Sequence, residues 1–318
     1  MGDDDGSRRS ARLGVAYGLA AYALWGVFPL YFHLLGEGGA TAWQILAHRI
    51  WWSCGLLVLL VTWQGRWREL WAAMRHRRTL LMLTTSTILI AANWLTFLIA
   101  VTSEKIQASL GYFLTPLMNV LLGVTVLGER LRPAQLISVA LAGIGVTLMT
   151  IDSRELPWIA LVLAISFAFY GLCRKTVAVD SVLGLAIETL LLAPLALAAL
   201  IYWYGFGTAT IPDYTTGGLL VLSGLATAIP LLCFASAARR LRFVTIGFLQ
   251  YLGPTIQFLL AVLVFHEAFA GMRVVAFAII WLAIGVYCID SLLGLRQQMM
   301  AGPYAKPLPQ SAMPLEDL

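Results

Sequence analysis

Apolar residues run through this chain in long blocks. They show neither the two-residue alternation of a half-buried strand nor the narrow stripe of a surface helix. A helix needs about 20 mostly apolar residues to cross a hydrocarbon core of about 30 Å. Blocks of about that length fall at 13–35, 42–63, 79–101, 107–127, 134–151, 157–173, 182–203, 217–238, 245–265 and 273–293. The fifth and sixth are separated by "DSREL" and Pro157, three charges and a helix-starting proline. The pattern predicts an all-α integral membrane protein with ten transmembrane helices. Between the second and third blocks, "QGRWRELWAAMRHRR" repeats Trp67, Leu70, Trp71 and Met74 at helical spacing with arginines between. A short helix lying in the headgroup region fits that pattern. Residues 1–12 read as a polar N-terminal tail. Residues 296–318, with several prolines and no apolar period, read as a disordered tail.

Composition agrees. Of 318 residues, 60% are hydrophobic and 12% charged, against roughly 25% charged in soluble domains. The net charge of +5 does not point to nucleic acid, because the basic residues gather at block ends with no interleaved stacking aromatics. Their distribution sets an orientation. Alternate loops carry Arg66, Arg68, Arg75, Arg77, Arg78, Arg130, Arg132, Arg174, Lys175, Arg239, Arg240 and Arg242, and both tails join that side. The opposite loops carry only Lys105, Arg154 and Arg273. By the positive-inside rule both termini are expected in the cytoplasm. The first block is too long for a signal-peptide core and reads as a retained span. Cys54, Cys173, Cys233 and Cys288 lie in apolar runs without ligand spacing, so neither metal nor other cofactor is expected. Small residues in "GVAYG" (14–18) and "LAGIGV" (141–146) permit close helix approach, within the chain or in a homodimer.

Five spans per half is an odd number, so related halves would lie antiparallel across the bilayer. "YFLTPLMNVLLGVTVLGE" (112–129) aligns with "QYLGPTIQFLLAVLVFHE" (250–267), matching Pro116 to Pro254 and Glu129 to Glu267, with Asn119 facing Gln257. "LWG" at 24–26 resembles "FYG" at 169–171. The expected repeats are 13–151 and 157–293. Inverted repeats are the architecture of many secondary transporters, with substrate bound between the halves near mid-membrane. Phosphate-loop, GxSxG and HExxH motifs are absent from the sequence, which argues against direct ATP drive and against an enzyme. A membrane sensor or scaffold is the alternative function.

Within the spans, ionisable residues are few and expensive. Arg49 and Glu188 occupy corresponding positions of the two halves. Their expected depths differ by about 11 Å, which favours two residues lining one cavity over a relaxed ion pair. His48 titrates near neutrality and is, with Glu188, a candidate proton carrier. Asn93, Trp94, Tyr112, Asn119, Gln250, Tyr251 and Gln257 are candidates for a mixed lining or for interhelical hydrogen bonds. Pro116 and Pro254, each mid-span, are candidate hinges or plain kinks. Glu129 and Glu267 end helices where the macrodipole disfavours a carboxylate, so each needs a partner.

Several strings together resemble a known family: "LWG", an arginine in the second span, a proline followed by "LGERL" across the fourth, and "QILAHRIWWS", "NWLTFLIAV", "ASLGYFLTPLMNVLLG", "SFAFYGLCRKT", "IETLLLAP" and "GFLQYLGPT". They are similar to the RarD branch of the EamA-containing drug/metabolite transporter superfamily, from about residue 13 to 295. The resemblance implies an inner-membrane permease for small molecules, exporting drugs or metabolites, with proton coupling an option. It implies no particular substrate.

Overall fold

The computed structural model describes residues 2–102, 107–153, 158–207, 213–264 and 271–300, and these are helical apart from short turns. In chain order the helices are α1 (Gly2–Glu37), α2 (Ala42–Trp63), α3 (Trp67–Arg75), α4 (Arg77–Thr102), α5 (Gln107–Thr125), α6 (Pro133–Ser153), α7 (Trp158–Thr176), α8 (Ser181–Leu200), α9 (Tyr214–Arg240), α10 (Phe243–Gln250), α11 (Leu252–Leu263) and α12 (Met272–Met300). Among the described residues nine helical stretches are long and apolar enough to cross a membrane, and Phe113–Thr125 of α5 is a shorter apolar one. The chain is thus a multi-pass membrane protein. α3 is the expected short surface helix, with Leu70 buried beneath it and Trp71 exposed.

Boundaries follow local chemistry. Thr41 caps α2 through a reciprocal box: its hydroxyl accepts from the Gln44 amide, and the Gln44 side chain accepts from the Thr41 N–H. Asp180 caps α8 by accepting from Val182 and Leu183. Three departures from the sequence reading are physical. The polar tail 1–12 belongs instead to α1 from Gly2 onward, since acidic residues suit a helix N-terminus and no breaker follows. Residues 296–300 of the expected disordered tail extend α12, while 301–318 lie outside the described residues. The ninth span is two helices, α10 and α11, broken at Tyr251. Pro254 therefore sits in the first turn of α11, where a missing N–H removes no intrahelical bond. Pro116 stays inside a continuous α5.

Helix packing follows the antiparallel halves. α1 lies on α9 and α11, and its counterpart α7 lies on α4 and α5. α2 packs on α9 as α8 packs on α4. The pairs α2–α8, α5–α10 and α6–α12 join equivalent elements across the centre. Exchanging the halves maps these packing pairs onto one another, the arrangement an inverted repeat requires. Glycines permit the close crossings. A Cβ at Gly26 would lie 2.7 Å from Ile256, and one at Gly247 would lie 2.7 Å from the Pro116 carbonyl oxygen. Gly14 and Gly18 face Arg240, Leu241 and Leu249, and Gly145 faces α12, so those small-residue positions serve packing within the chain.

The interior is uneven along its length. The largest buried cluster gathers the second half of α2, the start of α4, the end of α7, the start of α8 and the end of α9, including Leu57, Leu83, Val177, Leu183 and Ala238. All belong to one end of the bundle. At the other end, around the α1–α2 turn, the centre is hollow.

Candidate functional site

The hollow is a cavity of about 570 Å3 running from mid-bundle to the α1–α2 turn, where it reaches Gly36, Ala40 and Ala42. Helices of both halves wall it: α1, α2, α4 and α5 from the first, α7, α9, α10 and α11 from the second. Arg49 of α2 borders it and is nearly buried. Its Nε donates to Thr227 Oγ1 at 2.8 Å. Its guanidinium carbon stands 5.2 Å from the Trp94 ring centroid, 5.4 Å from Phe32 and 5.7 Å from Phe28. Cation–π contact of this kind is strongest where water is excluded. The cavity floor is an aromatic cluster in which Tyr22, Trp25, Phe167, Tyr170 and Phe234 meet with centroids 5.1–6.3 Å apart.

Of the other sequence candidates, Asn93, Trp94, Gln250, Gln257 and Pro254 also line this cavity. Asn93 Nδ2 donates to the Leu163 carbonyl at 2.9 Å and to Ser166 Oγ at 3.0 Å. Gln257 Nε2 lies 3.4 Å from the Trp25 carbonyl oxygen. That carbonyl lacks its usual helical donor because the residue four places on is Pro29, so Gln257 answers an acceptor that a proline leaves open. Gln250 Oε1 accepts from Asn119 Nδ2 at 2.7 Å, tying α10 to α5.

Four candidates lie elsewhere. Asn119 is fully buried behind the lining, with Gln250 rather than Gln257 as its partner. Tyr251 is buried at the α10–α11 break, packed on Phe248. His48 stands about 100° around the helix from Arg49 and turns away from the cavity. Trp52 Nε1, a donor only, meets His48 Nδ1 at 3.1 Å, so the neutral ring carries its proton on Nε2, which faces the Tyr204 hydroxyl at 3.1 Å. Tyr204 belongs to a π-helical turn, Ile201–Gly205, that extends α8. The side chain of Tyr112 lies outside the described residues.

Glu188 corrects the expectation of a shared cavity. It is buried on α8 among Ser86 of α4, Tyr170 of α7 and Arg174 of α7, below the aromatic floor. Ser86 Oγ donates to Glu188 Oε1 at 2.5 Å, the Tyr170 hydroxyl donates to Oε2 at 3.3 Å, and Arg174 Nη1 lies 3.5 Å from Oε1. Arg174 is fully buried although its sequence position reads as a loop; α7 simply continues to Thr176. Its Nη2 donates to the Ser181 carbonyl, while its Nε and Nη1 lack hydrogen-bond partners. The signal that finds it is spacing: Phe167, Tyr170 and Arg174 fall on one helical face. Arg49–Thr227 and Glu188–Ser86 are equivalent contacts under exchange of the halves, one beside the cavity and one within the sealed end.

The sealed end is pinned by polar clamps. Glu129 accepts from the backbone N–H groups of Phe243 and Val244, at 2.6 and 2.9 Å, and so caps α10 from another helix. Lys175 Nζ donates to the carbonyls of Ala238 and Leu241 at the end of α9, and Arg239 donates to those of Val177 and Val179. Arg66 pairs with Glu69 and Asp180. Burial works against ionisation of Asp180, but the Arg66 hydrogen bond and the α8 amides outweigh it and hold the carboxyl below its ordinary value. Glu267, the counterpart of Glu129, lies outside the described residues.

A two-sided helical bundle with one central hollow and one packed end is the architecture of a membrane carrier. The profile of the EamA-like transporter family matches residues 12–151. The chain is 44% identical over 297 residues to an uncharacterized transporter of Pseudomonas aeruginosa, covering 92% of this chain and 98% of that one. It is 42% identical over 298 residues to protein RarD of Salmonella typhimurium, covering 91% and 99%. A solved crystal structure at 20% identity superposes with a TM-score of 0.66 over 86% of this chain and 96% of that one, which supports the fold alone. The chain belongs to the EamA-like transporter family, in its RarD branch.

Proposed function

We propose that this protein is a secondary transporter of small organic molecules that works by alternating access, with Arg49 at the heart of its substrate site. One observation carries the reading: a cavity lined by both antiparallel halves reaches one end of the bundle, while aromatic packing and polar clamps close the other. Antiparallel halves that exchange conformations convert such a state into its mirror, opening the sealed end and closing the hollow one. The positive-inside count supports an outward-open state, with the α1–α2 turn on the periplasmic side of the inner membrane and both termini in the cytoplasm. Tags at the two termini are expected to report the cytoplasm, and a periplasmic C-terminus would defeat the inverted arrangement.

Export as the physiological direction follows from the family resemblance alone. Proton coupling, if present, falls to Glu188, whose carboxylate would meet water only when the sealed end opens. Metabolite profiling of cells with and without the protein identifies the transported compound. Substituting Arg49→Ala is expected to abolish that difference while the protein still reaches the membrane; an unchanged profile would reject the assigned role. Glu188→Gln is expected to lose flux driven by a pH gradient yet keep substrate exchange. Retention of both activities would remove the carboxylate from coupling.

A further inference from the structure

Arg49 is the one charged side chain among the described residues lining the cavity; no carboxylate borders it. The three amides on the wall already engage neutral partners: Asn93 holds the Leu163 carbonyl, Gln250 holds Asn119, and Gln257 faces the Trp25 carbonyl. Around the guanidinium stand Phe28, Phe32 and Trp94, and Phe97 and Phe167 continue the apolar wall. The charge of Arg49 is held in place by Thr227 at its Nε.

These features select by charge. Interaction between ions strengthens as water is excluded, so a single fixed cation dominates the field in an apolar cavity. An amine entering here would be desolvated against a like charge with no carboxylate to meet it. A zwitterion would satisfy one end and strand the other. A monoanion gains a planar, multi-donor partner, the geometry at which arginine excels, and an aromatic or branched apolar body beside the charge fills walls of the same character. At about 570 Å3 the cavity lies in the range that holds one small molecule.

We infer that the site takes small organic monoanions, a carboxylate or a group of like charge joined to an apolar, preferably aromatic, body, and that it rejects amines and zwitterions. The inference rests on the transporter reading for its function but not for its binding chemistry. The test uses three probes of one shape on purified protein in lipid nanodiscs: 3-phenylpropionate, 3-phenylpropanamide and 3-phenylpropylamine, with affinities measured calorimetrically at neutral pH. The acid is expected to bind at least about tenfold more tightly than the amide, with the amine weakest; a charge-assisted contact made by one probe alone accounts for such a ratio. Arg49→Gln is expected to erase the preference of acid over amide. Trp94→Leu is expected to weaken all three while keeping their order, which guards against reading a misfolded variant as a lost charge.

Equal or tighter binding of the amine, a preference that survives Arg49→Gln, or no binding by any of the three overturns the inference. Counterflow in proteoliposomes separates it from the carrier reading. Tight binding of 3-phenylpropionate without flux would sink transport and leave the anion site standing. Flux of the amine but not the acid would keep the carrier and overturn the assigned class.

Discussion

A buried ion pair is held together by the absence of alternatives, and Arg174 with Glu188 has few. Removing one partner leaves an uncompensated charge, which costs about 3–5 kcal/mol, whereas replacing both by apolar groups of similar volume is close to neutral. Arg174→Ala is therefore expected to destabilise the protein by about that amount in detergent melts or denaturant titration, and the double change Arg174→Met with Glu188→Leu to recover most of the loss. Gly184 contributes by vacancy: a Cβ there would fall 2.0 Å from Arg174 Nη1. At the surface, Asp180 links the fold to pH. Its carboxyl is held below the ordinary range by Arg66 and the α8 amides against the effect of burial. The clamp thus contributes fully above about pH 4 and is lost as pH falls through the lower, folded value. Melting temperatures between about pH 3 and 5 are expected to fall more steeply for the parent than for Asp180→Asn, which keeps the cap but not the charge. At this scale the sequence was legible wherever a polar residue interrupted an apolar run, as Arg49 and Glu188 do. It was not legible where partners come from different helices: periodicity places Glu188 inside a span, but only packing decides that Ser86, Tyr170 and Arg174 surround it.

At the scale of elements, the chain repeatedly stabilises one helix end with a side chain from another helix. α10 has eight residues and no capping side chain of its own at Arg242; Glu129 supplies that acceptor from the turn after α5. A helix this short is marginal without such help. Glu129→Ala is expected to lower stability by about 0.5–2 kcal/mol, the range for a lost cap. Amide exchange in nanodiscs should then rise over residues 243–247 and not in α6 or α12. Uniform protection across α10 would show that the cap is dispensable. The long helices were readable because a span needs a fixed length of apolar sequence, and α3 because its four apolar residues recur at helical spacing. The break at Tyr251 was not, since an unbroken apolar run is compatible with one helix or two. Pro254 marked the place, but a proline in a span reads equally as a kink inside one helix and as the first turn of another.

Across the whole molecule, the two halves carry the same contacts and opposite states of opening. Two cysteine reporters in a background lacking the four native cysteines distinguish the states: Leu46→Cys on the cavity wall and Ser86→Cys within the sealed end. The first is expected to react with a membrane-impermeant thiol reagent added from the periplasmic side. The second should react only from the cytoplasm, and faster when transport is turning over. Reaction of both from one side would rule out alternating access. The pairing of halves was legible in the two aligned segments around Pro116 and Pro254, because helix ends and prolines hold their spacing under divergence; which end stands open was not, because both states share one sequence. That pairing is chemically lopsided. The place of Arg49 in one half is taken in the other by Glu188, already neutralised by Arg174. On the reading proposed above, an anion is gripped by a net cation on one face of the membrane and by a balanced pair on the other. Detailed balance then ties grip to dwell time: occupied protein must linger in the present conformation longer than empty protein does, and half-saturating concentrations measured from the two faces must differ, even though the final distribution of solute still obeys its gradient.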